Sequence, residues 1–100
     1  MTDLEIIRSR VPREELLAGL AEEATELAQA ALKYRRTLDG TNPARTTPDE
    51  AWTALLIELA DVQLQLEALD FPCGAQDMQT INRTIREKKR RWRQSLIDTQ

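Results

Sequence analysis

The stretch LLAGLAEEATELAQAALKYRRTL, residues 16–38, carries apolar side chains at intervals of three and four along its length. Side chains spaced in this way lie on one face of an α-helix. Upstream, Pro12 suits the first turn of a helix, and downstream Asp39 and Gly40 supply a stop signal. We therefore predict a helix over residues 12–38. Its apolar face consists of Leu16, Leu20, Leu27, Ala31 and Leu38, with Leu17, Ala24 and Ala28 beside them.

A second helix is predicted over residues 48–69, after a loop that includes Thr41–Pro43. Thr47 followed by Pro48, with Glu50 three positions after the threonine, is typical of a helix start. The apolar side chains of this helix form two rows. The main row is Trp52, Leu55, Leu59, Val62, Leu66 and Leu69, and the second row is Leu56, Ala60 and Leu64. A helix that is apolar on two faces must be covered on two sides.

A third helix is predicted over residues 76–97, after a break in the sequence DFPCG at residues 70–74. Its inward side chains are expected to be Ile81, Ile85, Trp92 and Leu96. We interpret both Trp52 and Trp92 as core residues rather than as platforms for stacking bases.

The chain of 100 residues is expected to form a single all-α domain. Three glycines and four prolines leave little material for the many turns of an all-β fold. We predict a helical bundle of three main helices, with an arm or short helix over residues 1–11. Because so short a chain cannot cover a two-faced helix alone, a partner subunit is expected to complete the bundle, as a homodimer or homotetramer.

The absent residue types exclude several classes of active site. The chain has no histidine, which excludes Ser-His-Asp triads, Cys-His pairs and His-ligated zinc or haem within it. The single cysteine, Cys73, excludes an intrachain disulfide or a CxxC metal site. No apolar run approaches the length of a membrane span, and the N-terminus has no signal pattern. The cytoplasm is therefore the expected location.

The net charge of −3 is unevenly distributed along the chain. Residues 1–82 carry 7 basic and 15 acidic side chains, whereas residues 83–93 (RTIREKKRRWR) carry 7 basic and 1 acidic side chain. Such a basic segment favours phosphates, nucleic acid or an acidic protein surface. The acidic character of residues 1–82 argues against a general nucleic-acid-binding protein, because binding without sequence preference needs a broad cationic face.

Acidic pairs lie beside the apolar faces of two predicted helices. Glu22, Glu23 and Glu26 cluster on the first helix, and Glu58 and Asp61 are three residues apart on the second. If these helices pack antiparallel, the two acidic groups meet. Like charges brought together raise one another's pKa and oppose packing, and a hard divalent cation such as Mg²⁺, with its preference for oxygen ligands, resolves that conflict. The alternative is that these acids form a solvent-exposed helix face without a metal, which is common for a run of acidic residues on a helix.

The order of these motifs resembles the MazG-like all-α nucleoside triphosphate pyrophosphohydrolases. The similarity covers roughly residues 10–96 and includes LLAGLAEEATELAQAALKYRRTLDGTNP followed by EAWTALLIELADVQLQLEAL. The EExxE motif lies at Glu22, Glu23 and Glu26, and the ExxD motif at Glu58 and Asp61. Ile57 departs from the pattern, since relatives often carry an acid immediately before the one retained at position 58.

The resemblance implies hydrolysis of the bond between the α- and β-phosphates of a nucleoside triphosphate or deoxynucleoside triphosphate, giving the monophosphate and pyrophosphate. It implies Mg²⁺, or Mn²⁺, as cofactor and a homo-oligomeric bundle. Glu22 would be the base that orients the attacking water, an additional metal ligand, or a residue that contacts a metal ligand rather than the metal. The implied metal ligands are Glu23, Glu26, Glu58 and Asp61, and the implied phosphate contacts are Lys33, Lys88 and Arg91.

Two other functional classes fit parts of the sequence. A non-catalytic helical interaction module on the same scaffold would keep the apolar faces and would show no stabilisation by Mg²⁺ with a nucleotide. A nucleic-acid-binding protein would act through residues 83–93 and would show salt-sensitive binding that survives substitution of the carboxylates.

Overall fold

The computed structural model describes residues 1–40 and 46–99, and this part of the chain is helical with no strand. The helices are α1 (Asp3–Arg10), α2 (Arg13–Asp39), α3 (Pro48–Leu69) and α4 (Gly74–Asp98). The all-α prediction is confirmed, including the short N-terminal helix. The predicted loop residues Thr41–Pro43 lie outside the described residues. Within those ranges, no helix combines the length and the apolar character needed to cross a membrane.

Local signals determine where the helices begin and end. Thr47 caps α3, its hydroxyl accepting a hydrogen bond from the Glu50 N–H at 3.1 Å, as predicted. Gly40 ends α2 in the left-handed conformation with φ 73°, which glycine adopts without strain. α4 begins at Gly74, two residues before the predicted start. The Asp77 carboxylate accepts a hydrogen bond from the Cys73 N–H at 2.9 Å, which supports this earlier start.

The body of the molecule is an antiparallel pair formed by α2 and α3. Near one end, Leu16 packs with Ala68 and Leu69, and at the other end the rings of Tyr34 and Trp52 lie 5.2 Å apart. These pairings run in opposite sequence directions along the two helices, as antiparallel packing requires. The predicted meeting of the two acidic groups depends on this arrangement.

The expected main apolar row of α3 is covered only in part, because Leu55, Val62 and Leu66 are half-buried and Leu69 is buried. Trp52 and Leu59 were expected in the core, yet they remain 48% and 40% exposed. α3 instead turns toward α2 a face that includes Ala51, Leu69 and the half-buried Glu58. Among the described residues, the buried positions are only Leu16, Ala51, Ala68 and Leu69. Within the described ranges, apolar side chains on the outer side of α3 therefore remain exposed: Trp52, Leu56, Leu59 and Leu64.

α1 packs Leu4 and Ile7 against the buried cluster of the body, and an arginine adds hydrogen bonds to this contact. The Arg8 guanidinium donates hydrogen bonds to the Glu67 carbonyl at 2.6 Å and to the Ala68 carbonyl at 3.2 Å. These carbonyls belong to the last turn of α3, where a positive charge is favourable, and the Glu67 carbonyl also accepts a hydrogen bond from the Asp70 N–H. Arg8 thus caps α3 from a neighbouring helix.

We expect Arg8→Ala to lower the free energy of unfolding by about 1–3 kcal/mol, because two charge-assisted hydrogen bonds are lost. Urea denaturation followed by circular dichroism measures the change. Arg10→Ala, which removes an equal charge from the same helix, is the control and should change the stability by less than about 0.5 kcal/mol. Equal losses in the two variants would contradict the capping role.

α4 lies apart from the body of its own chain. Within the described ranges, its backbone does not come close to α1, α2 or α3, and it has no buried residue. The expected inward side chains are therefore not in a core: Trp92 is 71% exposed, and Ile85 and Leu96 are exposed as well. The radius of gyration is 17.8 Å, whereas a compact domain of this length has about 13 Å. The single chain is an extended helical assembly.

Candidate metal centre

Four carboxylates from α2 and α3 converge at the centre of the antiparallel pair. Glu23 and Glu26 lie on α2, and Glu58 and Asp61 lie on α3. One carboxylate oxygen from each residue falls within a group whose members are all within 4.8 Å of one another. The spacing of three residues in each pair places both members on neighbouring positions of one helix face. Antiparallel packing then brings the two pairs together.

The cluster is partly shielded from solvent. Glu23, Glu58 and Asp61 are half-buried, and Glu26 is exposed. One oxygen of Glu23 and one of Glu58 are out of reach of solvent and have no hydrogen-bond partner among the described residues. A buried carboxylate oxygen without a donor is costly. A bound cation would coordinate these two oxygens and remove the free-energy cost of burying them without a donor.

The surroundings oppose ionisation of two of these acids. Partial burial raises the pKa of Glu23 above its ordinary 4.5, and the nearby carboxyls of Glu26, Asp61 and Glu58 raise it further. Partial burial also raises the pKa of Glu58, with the carboxyls of Glu26 and Asp61 adding to the effect. Loss of hydration and like charge both disfavour a carboxylate. Without a bound cation, four ionised carboxylates at this position would therefore be electrostatically unfavourable.

The donor set suits a hard divalent cation. All four candidate ligands are carboxylate oxygens, the type that Mg²⁺ and Mn²⁺ prefer. The two ion pairs recorded in the described part join Arg35 to Asp39 and Arg91 to Glu87, so neither involves the cluster. The exposed side at Glu26 leaves room for water or a ligand oxygen to complete a coordination shell.

The other predicted site residues lie outside this group. Glu22 is exposed on α2 and does not belong to the converging carboxylates, and Lys33 is exposed further along the same helix. Lys88 and Arg91 lie on α4, and the Arg91 guanidinium is 3.8 Å from the Glu87 carboxylate. Because α4 does not come close to the body of its own chain, these two cations are not brought to the cluster within one protomer.

Gln65 is a neighbour of the cluster that the sequence interpretation missed. It lies one turn after Asp61 on α3, and its buried side-chain oxygen has no hydrogen-bond partner among the described residues. A Cβ built on Gly19 of α2 would be 2.7 Å from that oxygen, so glycine permits the close approach of the two helices there. The spacing of four residues from Asp61 was the available signal. Such an amide oxygen is suited to accept a hydrogen bond from water.

Comparison with protein-family models, with curated proteins and with solved structures gives no match for this chain. The function is therefore argued from the geometry of the four carboxylates.

Proposed function

We propose that this protein is a metal-dependent nucleoside triphosphate pyrophosphohydrolase, which cleaves the α–β phosphoanhydride of an NTP or dNTP to the monophosphate and pyrophosphate. The observation that carries the proposal is the convergence of Glu23, Glu26, Glu58 and Asp61 at the interface of two helices. Each acidic pair has a buried oxygen without a hydrogen-bond partner in the described part of the chain, and a bound cation would supply that partner. The resemblance of the EExxE and ExxD motifs implies metal binding by the same four residues.

The four carboxylates would hold Mg²⁺ or Mn²⁺. When bound, such an ion neutralises charge on phosphate oxygens and lowers the pKa of a water molecule. Hydrolysis of a phosphoanhydride depends on positioning and charge neutralisation more than on a covalent nucleophile. The absence of histidine from the chain is therefore compatible with this chemistry.

Residues around the cluster have separate proposed roles. Glu22 is adjacent to Glu23 in sequence, and its exposed carboxylate is available to accept a proton from an attacking water or to orient it. Lys33 is two turns from Glu26 along α2 and is proposed to contact the phosphates of the substrate. Lys88 and Arg91 are proposed as further phosphate contacts. Since nucleotides of this kind are cytoplasmic metabolites, we place the reaction in the cytoplasm.

We also propose that the protein is a homodimer or homotetramer. The exposed apolar side chains of α3 and the separate position of α4 support this assembly. Large apolar side chains exposed together on a protein surface commonly mark an interface.

The reaction is tested by incubating the purified protein with each NTP and dNTP and with Mg²⁺ in ¹⁸O-labelled water. We expect pyrophosphate and the nucleoside monophosphate in equal amounts, because cleavage lies between the α- and β-phosphates. Phosphorus NMR or mass spectrometry of both products identifies the bond that breaks and the product that carries ¹⁸O. Release of inorganic phosphate as the sole phosphorus product, or no turnover of any nucleotide with either Mg²⁺ or Mn²⁺, would reject the proposed reaction.

A further inference from the structure

α4 carries an apolar stripe that the other described helices of its own chain do not cover. At about 100° per residue, the stripe falls within about 60° of the helix surface and extends for about 27 Å. Ile81 is half-buried, while the other members are exposed, with Trp92 the most exposed at 71%. The stripe consists of Met78, Ile81, Ile85, Trp92 and Leu96. Lys88 and Lys89 flank it on opposite sides.

The exposed area of the chain corresponds to a large missing interface. The single chain exposes 8208 Å², whereas a monomeric protein of its mass exposes about 5,800 Å². The excess is about 2,400 Å² per chain, and two such surfaces joined would bury an area in the range of obligate homodimers. An interface of this size is expected to involve whole helix faces rather than a small patch.

The outer face of α3 has the chemistry that matches the stripe of α4. α3 has no basic side chain, and its three acids outside the carboxylate cluster are exposed (Asp49, Glu50 and Glu67), whereas α4 carries seven basic and three acidic side chains. The outer face of α3 also exposes Leu56, Leu59 and Leu64. Apolar contact and attraction between opposite charges would therefore both favour this pairing. Pairing of two α4 helices would instead bring basic segments together, which is unfavourable.

We propose that α4 of one copy docks along the outer face of α3 of a second copy, and that the exchange is reciprocal. The four-residue connection after α3 directs α4 away from its own helix pair, which leaves the α3 surface open to a partner. The inference rests on the homo-oligomeric assembly proposed above and is independent of the enzymatic reaction. It identifies the two surfaces that form the interface.

A zero-length crosslinking experiment tests this docking in the unaltered protein. Equal amounts of ¹⁴N- and ¹⁵N-labelled protein are mixed, allowed to exchange and treated with a carbodiimide, which joins lysine amines to carboxylates. We expect mixed-isotope crosslinks between Lys89 and the exposed acids of α3, with a solution mass of at least twice 11.4 kDa. A monomeric mass would overturn both the assembly and the docking. Crosslinks to α3 within one isotope only, or between two α4 helices only, in an oligomer would overturn the docking alone.

A matched pair of variants tests the stripe itself. Ile85→Glu places a charge in the stripe, whereas Gln94→Glu places the same residue on the opposite side of α4. We expect Ile85→Glu to raise the dissociation constant by about thirtyfold or more, the loss typical of a central interface anchor. Gln94→Glu should leave it within about threefold of the original. Sedimentation equilibrium measures both values, and equal affinities in two variants of unchanged helix content would contradict the inference.

Discussion

Glu58→Gln is expected to lower the rate of pyrophosphate release by at least about 100-fold, the largest effect of any single substitution considered. Metal-site changes outside the direct ligands already cost about 10- to 100-fold, and this change removes a proposed ligand charge. Glutamine keeps the shape and length of the side chain, so the packing of α3 against α2 is preserved. Initial rates with the preferred nucleotide and saturating Mg²⁺ measure the loss.

Glu67→Gln is the matched control for this substitution, because it removes one carboxylate from the same helix at an exposed position outside the cluster. We expect its activity to stay within about twofold of the original. Without metal, Glu58→Gln should be at least as stable as the original protein, because it removes one of the crowded like charges. Retained activity in Glu58→Gln, with the same helix content, would contradict the proposed role of the cluster.

The helices were predictable from the sequence because short-range signals specify their ends. Thr47 with Pro48 gives the start of α3, and Gly40 gives the end of α2. The capping box of α1 was also present in the sequence, where the Thr2 hydroxyl accepts a hydrogen bond from the Glu5 N–H and the Glu5 carboxylate accepts one from the Thr2 N–H. Each of these signals acts within four residues and does not depend on tertiary packing.

The sequence did not predict in the same way which face of each helix packs against the rest of the chain. Apolar periodicity identifies a face that needs covering, but it does not say whether this chain or another molecule covers it. Trp52 and Trp92 were both predicted as core residues, and both are exposed in the single chain. The interface of α2 and α3 contains Glu23 and Glu58 instead, residues that a ranking by hydrophobicity places outside a core.

The carboxylate cluster shows what sequence spacing can and cannot determine. The i, i+3 spacing of Glu58 and Asp61 predicts a shared helix face, and an antiparallel hairpin is the simplest way to join two neighbouring helices. Their distance from Glu23 and Glu26 depends on the relative position of the helices along their axes. That position is supported by close packing at Gly19, where the Gln65 side chain approaches the backbone of α2. A pattern of single residues does not encode such a contact.

Stability without metal is expected to fall as the pH rises above about 4.5. Glu23 and Glu58 have raised pKa values in the folded protein, so the folded state holds protons that the unfolded state has already lost. Their favourable contribution is therefore complete below the ordinary pKa of 4.5 and is lost as the pH rises through the raised values. Thermal melts in a chelator, at fixed protein concentration and at several pH values up to neutrality, measure this decline.

Mg²⁺ should reverse this decline, because the ionised carboxylates are its ligands and protonated ones are not. At a concentration about 100-fold above its dissociation constant, a ligand that binds only the folded state adds about 2.7 kcal/mol. For a chain of this size, such a gain raises Tm by about 10 °C or more. The shift should be largest near neutral pH and should disappear near pH 4, where Glu23 and Glu58 retain their protons.

The double variant Glu23→Gln/Glu58→Gln separates this effect from a general response of acidic surfaces to Mg²⁺. Both groups with raised pKa values are then uncharged at every pH, so we expect a flatter pH profile without metal and a Tm shift with Mg²⁺ of less than about 2 °C. Glu14→Gln/Glu67→Gln removes two exposed acids from the same helices and should keep both the decline and the full shift. A full Mg²⁺ shift in the first variant would place cation binding elsewhere on the protein, and the cluster would then be only a crowded acidic interface.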